Sequence, residues 1–120
     1  MNQKHLSAGE KAYASGDWHT AALEFMAAVH GDPSEGSGHA LHHAGNSLVK
    51  MSRYADAVSV YRKAACDTTY ELRGAVNANL GAALSALGRN EEALAAYDEA
   101  LTDESYATPH KAMLGRAGAL

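Results

Sequence analysis

A spacing of 36 residues runs through this chain and limits what it can fold into. Gly9, Gly45 and Gly81 lie at that spacing. So do Ala21, Ala57 and Ala93, then Ala28, Ala64 and Ala100, and an aromatic series of Phe25, Tyr61 and Tyr97. Gly16, Ser52 and Gly88 fall between them in the same register. Small residues at fixed places let two helices approach closely, and an aromatic ring fills the space beside them. A unit of this size cannot bury its apolar face alone. It must stack on copies of itself.

Apolar residues recur at three- and four-residue steps and never alternate strictly, so the reading is all-α with no strands. The pattern predicts helices over about 2–15, 18–30, 33–51, 53–66, 69–87 and 90–102, and from Thr108-Pro109 onward. Asn2 and Asp17 are candidate N-caps, and Asp67, Thr68 and Thr69 would cap the fifth helix. Gly16 and Gly88 end their helices, since glycine adopts the left-handed conformation that closes one. Gly31-Asp32-Pro33 stops the second helix, and Ser34-Glu35-Gly36-Ser37-Gly38 would form a weak first turn of the third. Cys66 reads as a small core or boundary residue.

These coincidences resemble the tetratricopeptide repeat family. The resemblance implies a right-handed α-solenoid of antiparallel helix-turn-helix repeats, about seven helices in one domain. The repeats would span about 2–35, 36–71 and 72–107, with a partial fourth over 108–120. The family period is usually 34, and Thr69 and Ser105 stand where a later repeat-ending proline would. The register of the last helix is open, since Gly115 lies 34 residues after Gly81 while Ala117 lies 36 after it. Met113, Leu114, Ala117 and Leu120 cannot all be buried on one side. The expectation is a chain truncated from a longer repeat protein, or one that self-associates through its C-terminal helix.

The 120 residues carry a net charge of −4, and no basic patch points to nucleic acid or an anionic membrane. No apolar run approaches a membrane span. A lone cysteine excludes an internal disulfide and fits a reducing, cytoplasmic setting. No GxSxG, HExxH, phosphate loop or supported Cys–His pair appears, so no enzyme activity and no cofactor are expected.

In the family the first helix of each repeat lines a concave groove. Transferred to this chain, that implies three stripes: Gln3, Leu6, Glu10 and Tyr13; His39, His42, Asn46 and Val49; and Ala75, Ala78, Ala82 and Ser85, with Asn79 and Ala86 alongside. The partner-binding candidates are Leu6, Glu10, Tyr13, His39, His42, Asn46, Val49, Asn79, Ala82 and Ser85. One branch of the family clamps acidic chaperone tails with basic and Asn side chains, but those places hold Leu6, Glu10, His43, Ala75 and Asn79 here, so that clamp is absent. His39 and His43 have metal-pair spacing on one helix face, but two imidazoles and a neighbouring Glu10 do not make a structural zinc set, and no metal is expected. The reading is a scaffold or adaptor that takes a peptide or helix of a protein partner. The alternatives are a regulatory or targeting module of a larger enzyme, or an oligomer-building module.

Overall fold

The computed structural model describes residues 3–29 and 36–120. Among these residues there are seven helices and no strand: α1 (Gln3–Ser15), α2 (Trp18–Ala27), α3 (Gly38–Lys50), α4 (Tyr54–Ala65), α5 (Arg73–Ala86), α6 (Asn90–Thr102) and α7 (Pro109–Ala119). Each helix packs on the next. The odd-numbered helices also touch one another, α1 on α3, α3 on α5 and α5 on α7. They therefore form one layer, with α2, α4 and α6 behind it, in a body of 41 × 28 × 23 Å.

The 36-residue series is the packing scheme. Ala21, Ala57, Ala93, Ala28, Ala64 and Ala100 are all fully buried. Phe25, Tyr61 and Tyr97 are buried too, each with its ring against the glycine one helix back. A Cβ on Gly9 would lie 2.9 Å from Phe25, one on Gly81 would lie 2.8 Å from Tyr97, and one on Gly45 would overlap Tyr61. Burying six alanines in place of larger side chains gives little apolar area per residue. The aromatic rings supply most of the rest. The turns share a left-handed residue at the same register: Gly16 at φ 79°, Ser52 at φ 58° and Gly88 at φ 75°.

Several boundaries differ from the sequence expectation. Asp17 caps α2 as expected, accepting from the Thr20 N–H at 3.3 Å. The expected cap Asn2 and the stop at Gly31-Asp32-Pro33 lie outside the described residues, as do Ser34 and Glu35. Gly36 is left-handed at φ 76°, so α3 starts only at Gly38 and residues 36–37 are not its first turn. Helix α5 starts at Arg73, not near 69, and no side chain caps it locally.

Asp67 is the reason the fifth helix starts late, because its carboxylate serves a different helix. Its Oδ2 accepts the Gly38 N–H at 2.8 Å, at the start of α3. Its Oδ1 accepts the Thr69 N–H at 3.0 Å and the Thr69 hydroxyl at 2.6 Å. Ser37 makes no side-chain cap of its own, so Asp67 supplies an N-terminal anion from 29 positions away. The arrangement recurs one repeat on. Asp103 accepts from Gly74 at 3.0 Å and from the Ser105 N–H and hydroxyl at 3.0 and 2.7 Å. Tyr70 and Tyr106 then cover Gly38 and Gly74, where a Cβ would lie 2.5 and 2.7 Å from them. Cys66 is exposed rather than a core residue, because Asp67 takes the inward position beside it.

In α7, Ala112 and Ala119 are buried, 36 residues after the buried Val76 and Ala83. Gly115 packs against Tyr97 in the register of Asn79 and His43, not that of Gly81. Met113, Leu114, Ala117 and Leu120 are all exposed.

Candidate functional site

A cleft of about 320 Å³ opens on the layer of odd-numbered helices. Tyr13 of α1 forms one wall, and Asn46, Val49 and Lys50 of α3 form the centre. Asn79, Ala82 and Ala83 of α5 form the other wall, with Tyr54 and Tyr61 closing the end from α4. Tyr13 is held edge-on to Trp18, with centroids 5.3 Å apart, and the Lys50 ammonium lies 5.7 Å from the same indole. That indole therefore holds both Tyr13 and the nearby positive charge in place.

Beneath the cleft runs a hydrogen-bonded chain of side chains. The Tyr61 hydroxyl donates to Asn46 Oδ1 at 2.6 Å, and Asn79 Nδ2 donates to the same oxygen at 3.3 Å. Asn46 Nδ2 in turn reaches the Tyr13 hydroxyl at 3.5 Å. Asn79 Nδ2 also donates to His42 Nε2 at 3.1 Å, so that ring nitrogen is bare. The ring proton then sits on Nδ1 and donates to the Tyr70 oxygen at 2.8 Å. Burial, helped by repulsion from His43 and His39, pushes the His42 pKa down to about 4. His42 is therefore neutral at neutral pH, which this chain of donors and acceptors requires. Burial raises the Tyr61 hydroxyl above its usual range, with Tyr13 adding to it. Burial and the nearby Asp67 and Glu71 push Tyr70 up to about 12.

Residues 78–103 match the family model for the tetratricopeptide repeat. One similar solved structure is the Arabidopsis OM64 TPR domain, with a TM-score of 0.79 at 17% identity over 98% of this chain and 92% of that one. No curated protein sequence matches. The chain has the fold of a tetratricopeptide-repeat solenoid. The cleft lies on the row of odd-numbered helices, where α1, α3 and α5 meet.

Of the residues that sequence reasoning assigned to the groove, Tyr13, Asn46, Val49, Asn79 and Ala82 come together in the cleft. His42 does not present itself there. It is 6% exposed and sits under Asn79 as part of the floor, because Tyr70 and Asn79 occupy both ring nitrogens. Leu6 is half-buried against the core, and Ser85 is half-buried and outside the cleft lining. Glu10 and His39 face each other across α1 and α3 at 3.5 Å, both exposed, in a solvated pair of small energetic weight.

His43 donates from Nδ1 to the His39 carbonyl at 2.9 Å, and its ring lies 4.4 Å from that of His39. Burial lowers the His43 pKa, and repulsion from His39 adds to this against the opposing His39 carbonyl and Glu10. Among the described residues, no group of three or more His, Cys, Asp or Glu side chains converges on a metal position. Sequence reasoning missed Lys50, Tyr54, Tyr61 and Ala83 in the cleft, and Tyr70 behind it. Tyr61 was legible only as packing. The signal that it does more is its hydroxyl, which Phe25 lacks at the same register.

Proposed function

We propose that this chain is a protein-interaction module that holds a segment of a partner protein in the cleft between Tyr13 and Ala82. The supporting observation is one open cleft in which apolar walls (Val49, Ala82, Ala83 and the tyrosine rings) surround the Asn46 and Asn79 amides. Apolar area supplies affinity there, and a few fixed polar groups supply orientation. Lys50 is the only formal charge lining the cleft, so recognition rests on shape and hydrogen bonding more than on ion pairing.

The test is selection of binding sequences from a random peptide display library on the immobilised protein. Selected peptides should lose at least tenfold in affinity on Ala82→Trp, which fills the cleft from an exposed position without entering the core. Selected peptides that bind Ala82→Trp as well as they bind the wild type would place recognition elsewhere. A second reading, self-association, is favoured by the exposure of Met113 and Leu114 on α7, at 58 and 73%. Light scattering should then show mass rising with concentration and a return to monomer in Leu114→Glu. A monomer at all concentrations refutes it.

A further inference from the structure

We infer that His42 is the specificity-determining residue of this cleft, fixing Asn79 with its oxygen outward so that the cleft selects an extended peptide main chain over a helix. The inference rests on the cleft being the binding site. Both contacts of Asn79 Nδ2 are internal, to Asn46 Oδ1 and His42 Nε2. Asn79 Oδ1 has no partner, yet among the described residues no buried side-chain nitrogen or oxygen lacks one. That oxygen is therefore accessible, on a residue that lines the cleft. It asks its ligand for a donor.

Across the cleft, the second N–H of Asn46 and the hydroxyl hydrogen of Tyr13 are unused, and they ask for an acceptor. Acceptor and donors on facing helices match the free N–H and C=O of a peptide unit in extended conformation. A helix binds its own N–H and C=O groups internally and has nothing to give Asn79. Adjacent Val49, Ala82 and Ala83 receive an apolar side chain of the same segment.

His42 sets the orientation of Asn79 together with Asn46 Oδ1, which takes the same amide nitrogen. A bare Nε2 accepts only from the amide nitrogen of Asn79, and in that tautomer Nδ1–H donates to the Tyr70 oxygen. With the proton on Nε2 instead, Asn79 would turn its oxygen inward and its NH2 outward, and the cleft would ask for an acceptor at that point. His42 thus acts through Asn79 as a positioning residue and does not touch the ligand.

Two measurements test this. In long-range proton–nitrogen spectra, His42 should show the Nδ1–H tautomer at pH 7, and an Nε2–H tautomer overturns the inference. The second is a titration followed by amide shifts at Ala82, Ala83 and the Asn79 side chain. N-acetyl-leucine N-methylamide should bind about fivefold more tightly than N-acetyl-N-methyl-leucine N,N-dimethylamide, which has no N–H donor, as expected for one hydrogen bond. Equal affinity for the two overturns the polarity argument and leaves the cleft as a binding site. Absence of shifts with either compound overturns both.

The preference should fall at least twofold in His42→Ala, where Asn46 Oδ1 alone holds the amide, and persist in full in His42→Gln, whose side-chain oxygen replaces the Nε2 acceptor. A folded His42→Ala that keeps the preference overturns the role of His42. If His42→Ala fails to fold, the His42→Gln titration and the tautomer still decide the matter.

Discussion

Acidification should destabilise this protein before its carboxylates titrate, and His42 should be the main cause. The imidazole is neutral and buried in the folded chain, with its pKa pushed from 6.5 to about 4. In the unfolded chain it titrates near the ordinary value, so between about pH 6.5 and 4 the unfolded state binds more protons. Stability is therefore full above about pH 6.5 and falls as the pH drops towards 4. The difference of roughly 2.5 units corresponds to about 3 kcal/mol. For a chain of this length that is a fall of roughly 12 °C in the unfolding midpoint.

The groups facing His42 are His39 and His43 on its own helix, Tyr61 from α4, Tyr70 with Asp67 and Glu71 behind it, and Asn79 from α5. His43 is also held low and adds in the same direction. Asp17, Asp67 and Asp103 are held below the usual carboxylate range, so their contributions disappear only at lower pH, outside this window. Thermal unfolding followed by circular dichroism at pH 7, 5.5 and 4.5 should show the fall in wild type and most of it removed in His42→Gln, which does not titrate. The same pH dependence in both proteins would refute the argument, because a buried histidine with no linkage to folding cannot be buried neutral.

Three further substitutions follow from the packing. Gly45→Ala drives a methyl into the Tyr61 ring and should cost about 2–4 kcal/mol in chemical denaturation, whereas Gly118→Ala meets nothing within 4 Å and should be neutral or stabilising by about 0.5–1 kcal/mol. Ser52→Gly should raise stability by about 1 kcal/mol, because Ser52 holds the left-handed conformation that Gly16 and Gly88 adopt freely in the other two turns. Asp67→Ala leaves the Gly38 N–H without its acceptor and Thr69 without its partner, and should cost about 2–3 kcal/mol. Native-state hydrogen exchange at the start of α3 should show the loss there first.

Where the sequence was legible, the reason was repetition. The glycine, alanine and aromatic series predicted which helices touch and which residues lie between them, because a packing constraint met three times leaves three copies of its signature. The Asp67 and Asp103 caps were repeated just as faithfully. Asp67 reads from sequence as a local N-cap because local capping is the commoner use of Asp, and a contact 29 positions away leaves no periodic trace within one helix. The groove was half legible. Helix phase placed Tyr13, Asn46 and Asn79 on the face where the cleft opens, but phase does not give depth. Whether His42 looks outward or lies under Asn79 depends on Tyr70, which arrives from the loop after α4.

The chemistry of the cleft comes from positions where the copies differ. The residues one repeat before and after His42 are Leu6 and Ala78, and those flanking Asn46 are Glu10 and Ala82. Asn79 falls in register with His43 and Gly115, and Tyr70 with Ser34 and Tyr106. His42, Asn46 and Tyr70 come from the second repeat and Asn79 from the third, and no other adjacent pair of repeats holds the same imidazole, two amides and phenol. Tyr106 covers Gly74 as Tyr70 covers Gly38, yet the position in register with His42 is Ala78, which leaves the Tyr106 hydroxyl no imidazole to meet. The helices are therefore interchangeable as packing units, while the recognition surface is not. A ligand sliding by one repeat along this solenoid would meet Tyr13, Asn46 and Ser47, or Ser85, Gly118 and Ala119, in place of Val49, Ala82 and Ala83, and would lose the matching donors and acceptors as well. For the proposed ligand, register along the groove is thus specified where the second and third repeats meet, by the hydrogen-bond polarity that His42 and Asn46 set at Asn79.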